Sequence, residues 1–373
     1  MFVNYIKSMF FTLKNKLFNR KKLLFIVIIF LLPWYSHCQE NYSIERYSMN
    51  EKFFGFLYNF QFQNADSLLA NIDSISEPMH FNFLKAHYMR WYFLPIHQQN
   101  EDILSQYNQY LKAANFETSG SELNYFSVNS ALLKAEYNYN QGNYYKAFQS
   151  SSEIYELVKN NLVEEPNQIE IKFLSSLYHY YYQHYKSENP VLGGMLWLFK
   201  EGNKEIGLKW LEDITNQKSV VRTEALIYLS HIYLRLENNP EKAFHYAKML
   251  HNQFPKNLKF YELLIESYFA NNIENEHLYE LIKELNDSDN IYFKKYGKCY
   301  YAILNVKFGS SGYNEKLEII EGALRFIHEF GGGNHLSSLL YFQLYELTEN
   351  NDHLKQKNEI EPYKYILTGY RNF

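Results

Sequence analysis

Cysteine, proline and glycine are scarce in this chain, at 2, 8 and 15 of 373 residues. Two cysteines allow one internal disulfide at most, so the fold has to be held by packing rather than by covalent staples. Few chain breakers suit packed helices better than a strand-and-turn protein. The local signatures of catalysis are absent too. Thirteen histidines invite a search for metal ligands, yet there is no H-E-x-x-H pair and no Cys/His cluster of ligand spacing. His179 and His184 stand five apart and do not share a helix face. No G-x-S-x-G elbow or phosphate-binding G-x-x-x-x-G-K-[ST] loop occurs. Gly331-Gly332-Gly333-Asn334 reads as a helix connector, because no strand precedes it and no Lys-Ser/Thr follows. The paired acids Glu164-Glu165 and Glu212-Asp213 read as solvated helix faces. The expectation is a protein that is no enzyme and uses no cofactor or metal.

What the chain has in quantity is aromatic surface, 36 Tyr and 29 Phe. Tyr and Phe also favour strands, so composition alone is ambiguous. Recurrence of apolar residues at three- and four-residue spacing, with no sustained alternation, decides for helix.

The first 38 residues differ in character. Lys7, Lys14, Lys16, Arg20, Lys21 and Lys22 precede ten apolar residues, Leu23 to Leu32, and no acid occurs before Glu40. A basic region followed by so short an apolar core is the layout of a signal peptide, since a spanning helix needs roughly 20 apolar residues. Ser36 and Cys38 supply small residues three before and one before a cut ahead of Gln39. Residues 1–38 are therefore expected to be a cleaved signal peptide. An uncleaved inner-membrane anchor through residues 23–32 is the alternative. The product would be exported, periplasmic or outer-membrane associated, touching membrane only through this segment. Cleavage removes six positive charges and no negative ones, moving the formal charge from −4 to −10. Such an acidic product is a poor match to nucleic-acid phosphates. Cys299, left alone in an apolar run, is expected to be buried.

After a polar lead over residues 39–49, helical patterns fill residues 50–349, and residues 350–373 form a tail or capping helix. A first short pair spans Glu51 to Phe60 and Asn64 to Ile75, the latter with Ala65, Leu68, Leu69 and Ile72 inward. The most regular stretch is Arg222 to Asn257. Ala225, Leu226, Leu229, Ile232, Tyr233 and Leu236 mark one helix, and Ala243, Phe244, Tyr246, Ala247 and Leu250 the next. Asn239 is placed to cap and Pro240 stands at the first helical position. Ser230 and Ala243 are small where the two helices should approach, and Pro255 ends the unit. Three turns share one layout: Gly142 to Phe148, Gly202 to Leu208 and Asn238 to Phe244. Each begins with a Gly or Asn able to adopt positive φ, followed by an Asn cap, and each carries a small residue (Ala147, Gly207, Ala243) before an apolar one.

These motifs resemble the tetratricopeptide repeat (TPR), and the intervals from Ala147 to Gly207 and from Gly207 to Ala243 fit its period of about 34 residues with one enlarged unit. The run Tyr58 to Asp66 with Pro78 and Trp91-Tyr92, and the segment Gly193 to Pro255, are similar to exported bacterial TPR proteins. The resemblance implies an all-α, right-handed α-solenoid of about seven to eight antiparallel helix pairs. It carries no residue-level site.

One unit is irregular. A helix rich in tyrosine, including Tyr181 and Tyr185, breaks at Asn189-Pro190 into an apolar loop containing Trp197 and Phe199. That loop is either a plug folded over the helices or the lip of a groove. Trp197, Phe199, Tyr181 and Tyr185 are the candidate partner-binding residues. Two functions follow as expectations. The first is a non-enzymatic scaffold binding an unidentified protein partner on the concave side of the repeats. The second is a helical glycan- or small-ligand-binding envelope protein using the aromatic region 178–199.

Overall fold

The computed structural model describes residues 48–72, 78–92, 101–114, 125–140, 143–188, 196, 199–331 and 334–359. The expected signal segment with Cys38 and Gln39, the polar lead up to residue 47, Gly142, Trp197 and the tail beyond 359 lie outside the described residues. Among those described there are sixteen helices and no strand, so the chain is all-α. In order they are α1 (residues 48–58), α2 (Phe62–Leu69), α3 (Pro78–Tyr92), α4 (Glu101–Ala113), α5 (Tyr125–Asn140), α6 (Tyr144–Val158), α7 (Ile169–Glu188) and α8 (Lys204–Thr215). Then follow α9 (Arg222–His231), α10 (Pro240–Gln253), α11 (Leu258–Ala270), α12 (Glu276–Asp287), α13 (Ile291–Lys307), α14 (Tyr313–Glu329), α15 (Asn334–Thr348) and α16 (Asn351–Glu359). From α2 onward each helix packs on the next along the chain. Odd-numbered helices also meet one another, α3 with α5, α5 with α7, α11 with α13 and α13 with α15.

Burial divides the helices into two kinds. In α12 only Leu278, Leu281, Ile282 and Leu285 are buried, one stripe at i, i+3, i+4 and i+7. The helices α10 (Ala243, Tyr246, Ala247, Leu250) and α14 (Ile320, Ala323, Leu324, Ile327) repeat the pattern. By contrast α9 is buried at every residue from Thr223 to His231, and α11 at every residue from Phe260 to Phe269. A helix covered on all sides is an interior element, and a one-sided helix is an outer one. The odd-numbered helices thus form the inner layer in this part of the chain.

Helix starts are set by asparagine. Asn203, Asn239, Asn257, Asn275 and Asn290 each accept a hydrogen bond from a backbone N–H of the first turn, at α8, α10, α11, α12 and α13. A cap of this kind is worth about 1 kcal/mol. Asn143 differs from expectation, since its side chain makes no cap bond to α6. The first pair differs as well: α2 ends at Leu69 rather than continuing to Ile75. Asn71 turns its side-chain amide back to the Ser67 carbonyl, a local bond that competes with the helical one. In the stretch Arg222 to Asn257, α9 ends in one π-helical turn, Ile232–Leu236, and Asn238 takes φ +52°. The Glu237 amide donates to the Ile232 carbonyl at 2.9 Å, which inserts one extra residue into the turn. Pro240 follows at the first position of α10.

The small residues mark close approach. Ala243 and Ser230 are fully covered, and Ala147 is buried. Gly207 lies against the backbone of α7, where an added Cβ would meet the Ser176 carbonyl at 2.6 Å and the Tyr180 amide at 2.7 Å. Gly202 does not adopt positive φ, contrary to the expected left-handed turn. Its requirement is steric, because a Cβ there would lie 2.7 Å from Cβ of Tyr182 and 2.9 Å from the His179 carbonyl. Cys299 is fully buried and its thiol faces the Leu336 carbonyl at 3.8 Å. Burial first, and the neighbouring Glu266 second, push that thiol well above its ordinary pKa.

Two glycine substitutions separate close packing from helix propensity. Gly207→Ala should destabilise the chain by about 1–3 kcal/mol, because the obstructing atoms are backbone. Gly322→Ala in α14, whose nearest neighbour is an Arg325 side-chain atom at 3.9 Å, should stabilise it by roughly 0.5–1 kcal/mol. Urea unfolding midpoints of the two variants test both signs.

Candidate functional site

The inner layer carries charge where packing alone would be served by aliphatic residues. Arg90 of α3 donates from Nε and Nη2 to the two carboxylate oxygens of Glu136 on α5, at 3.3 and 3.1 Å. Its Nη1 lies 3.7 Å from Glu224 on α9. All three side chains are at most 8% exposed. Tyr58, at the end of α1, donates its hydroxyl to Glu224 at 2.8 Å. Burial alone would lower the Arg90 pKa, but Glu136 and Glu224 outweigh it and hold the guanidinium well above its usual value. Ionised groups removed from water are tolerated only when paired in this way. One positive and two negative side chains on three helices therefore specify how those helices meet.

A second cluster lies along α9, α11 and α13. Arg235, in the π-helical turn, donates through Nη2 to Glu266, which also accepts from the Tyr300 hydroxyl at 2.7 Å. Lys259 pairs with Glu262 at 2.8 Å and donates to the Tyr292 hydroxyl, with its ammonium 4.7 Å above the Tyr292 ring. Burial pushes both members of the Lys259–Glu262 pair toward their neutral forms. Glu262 rises to about 7, and Lys259 falls below its ordinary value. Two polar atoms have no protein partner, Nη1 of Arg235 and Oε1 of Glu262, on side chains 9% and 7% exposed. A buried donor and a buried acceptor left without partners each carry a desolvation cost of about 1–3 kcal/mol. Ten buried side-chain atoms among the described residues lack a partner, and these two fall in one cluster. The π turn delivers Arg235 to that cluster. At its rim Tyr292 is partly exposed, and the Lys259 and Arg235 side chains are about nine-tenths buried.

The expected partner-binding residues are distributed over two places. Tyr181 stacks on Tyr185 with ring centroids 5.8 Å apart and meets Tyr228 edge-on at 6.4 Å. Tyr228 lies in the electrostatic reach of Glu136, Arg90 and Glu224, so this pair borders the first charged cluster. Phe199 instead packs edge-on against Tyr155 of α6 at 4.7 Å. The loop around it is tied down by tyrosine hydroxyls, Tyr178 donating to the Lys200 carbonyl at 2.6 Å and Tyr182 to the Leu196 carbonyl at 3.2 Å. The charged residues of both clusters, from Arg90 to Glu266, went unrecognised in the sequence. The one available signal was an ionisable residue on the apolar face of a helix, as at Glu262 and Glu266 four apart in α11. Among the described residues no three His, Cys, Asp or Glu side chains are placed to hold a metal ion. No described helix is long and apolar enough to cross a membrane.

His87 of α3 makes the inner layer sensitive to acid. Its Nε2–H donates to Asn129 Oδ1 at 2.9 Å, and Nδ1 is buried without a partner. Burial first, and Arg90 second, lower its pKa to about 3. A folded-state value below the unfolded one means that the unfolded chain takes up the proton first. Stability is then fully present above pH 6.5 and is lost as pH falls toward 3. Glu262, whose pKa is raised, acts in the opposite sense between its unfolded value and 7. His87→Gln keeps a donor for Asn129 and cannot titrate. Between pH 7.5 and 5 the wild type should lose about 2 kcal/mol more unfolding free energy than this variant, measured by urea titration at each pH.

No protein-family model, curated protein or solved structure matches this chain, and the functional reading is carried by the placement of its residues.

Proposed function

We propose that this chain is a non-enzymatic TPR-like scaffold, a right-handed α-solenoid of about seven to eight antiparallel helix pairs exported to the cell envelope, where it binds a protein partner. In this reading the helices pair in chain order, and α3 with α4 through α15 with α16 do pack together. One observation supports the binding function: Arg235, Glu262, Lys259 and Glu266 of the inner helices form a charged cluster whose edge, at Lys259, Tyr292 and Arg235, is partly open to solvent. A polypeptide can pair with the charged groups at that edge, and tyrosine beside them adds contact area with little entropy to lose. The glycan-binding alternative has less support, because Phe199, Tyr178 and Tyr182 are engaged in holding their own loop.

Chemical cross-linking in the native envelope, followed by mass spectrometry, tests this reading. The wild type should capture one or a few proteins. Arg235→Gln should reduce capture about tenfold with unchanged helical circular dichroism. Lys218→Gln, at a side chain 86% exposed, should leave it unchanged. Capture of no protein above an untagged control would sink the proposal.

A further inference from the structure

The helix α1 occupies a seat built by helices distant from it in sequence. Phe53, Phe54, Leu57 and Tyr58, two pairs spaced i, i+4, are all at most 5% exposed. On one side Phe54 meets Phe83 at 6.4 Å and His87 at 4.9 Å, and Asn50 accepts from His80 at 2.8 Å, all on α3. On the other side the Tyr58 ring meets Phe254 at 5.4 Å and Phe260 at 6.5 Å, and its hydroxyl reaches Glu224. Asn257, the cap of α11, donates to the Tyr58 carbonyl at 2.9 Å across 199 positions. Where α1 is seated, α3 meets α11 directly, with Trp91 and Phe260 rings 5.8 Å apart.

Two features make this seat one that α1 can leave. Tyr58 covers Glu224, which lies 3.7 Å from Arg90, and a carboxylate gains hydration when uncovered, so opening costs less than exposing an equally large apolar groove. The joint between α1 and α2 is strained as well. Phe60 takes φ +56°, and it is the one aromatic residue with positive φ among those described. That conformation is disfavoured for any residue with a side chain, and swinging α1 out would release the strain.

We propose that the face formed by α3, α9 and α11 is a helix-docking groove, held in cis by α1. Its occupant in trans is a partner helix with two aromatic or aliphatic pairs spaced i, i+4 and a terminal hydroxyl that reaches Glu224. This rests on the reading of the inner layer as a protein-binding surface and names the form its partner takes. The groove discriminates by chemistry, since Glu224 rewards a tyrosine hydroxyl at the helix end and an aliphatic residue there would leave that carboxylate oxygen without its donor, while the Asn257 amide takes a backbone carbonyl that any residue supplies.

Hydrogen exchange on the full chain, combined with binding of a labelled peptide of residues 50–61, tests the groove. The amides of α1 should exchange through a local opening about tenfold or more faster than those of α11, with little dependence on dilute urea. The peptide should bind saturably, Tyr58→Ala in the full chain should tighten binding about tenfold, and the peptide carrying the same substitution should not bind. Exchange of α1 only with global unfolding, or failure of the peptide to bind even the Tyr58→Ala chain, would overturn the proposal. Cross-linking of an envelope partner that persists in that case would leave the scaffold reading standing and sink the groove alone.

Discussion

The arrangement of this chain depends on the burial of Arg90. A guanidinium that is taken out of water must be surrounded by acceptors, and here they come from α5 and α9, with Tyr58 of α1 completing the shell of Glu224. Segments from residue 58 to residue 224 are thereby bound at one point. Replacing such a cluster with aliphatic residues of equal volume is often neutral or stabilising, whereas removing a single member leaves a buried charge. The cluster is therefore best understood as a device for specifying which helices meet.

The same logic repeats along the inner layer through tyrosine. Tyr180 donates to Glu237 at 2.7 Å, Tyr233 to Glu212 at 2.6 Å, Tyr261 to Glu284 at 2.6 Å and Tyr300 to Glu266 at 2.7 Å. Each bond joins different helices or helix ends, and each combines a large buried ring with a polar tip that has found a carboxylate. A charge-assisted bond of this type is about twice as strong as a neutral one. This accounts for the abundance of tyrosine: its ring fills the space between helices, and its hydroxyl fixes their register. It also leaves the inner layer dependent on carboxylates staying ionised and on His87 and His231, both with lowered pKa, staying neutral.

The local part of this structure was legible in the sequence. Spacing of apolar residues located the helix pair within Arg222 to Asn257 to within a few residues. Asn239-Pro240 marked the start of α10, and Gly207 and Ala243 marked points of close approach. Asn257, Asn275 and Asn290 act by the same capping chemistry as Asn239, and they were readable from their position just ahead of a periodic run. What could not be read were contacts made across the chain. Nothing near Tyr58 indicates that its carbonyl receives the Asn257 amide, since the two residues stand 199 positions apart and the bond exists only once α1 and the start of α11 have met. Gly202 was recognised as necessary for the wrong reason, because a backbone approach from α7 and a left-handed turn both call for glycine. The π turn at Ile232–Leu236 was equally hidden, its extra residue looking like ordinary helix in a pattern of period near 3.6.

A double-mutant cycle on Arg90 and Glu224 tests most directly whether the buried cluster clamps α3 to α9. Arg90→Met, Glu224→Gln and the double variant would be compared with the wild type by urea unfolding at neutral pH. Coupling through a shared buried network predicts that the double variant is less destabilised than the sum of the single ones by about 1–3 kcal/mol. Additivity within roughly 0.5 kcal/mol would contradict the account, because it would mean that the two side chains do not meet in the folded chain.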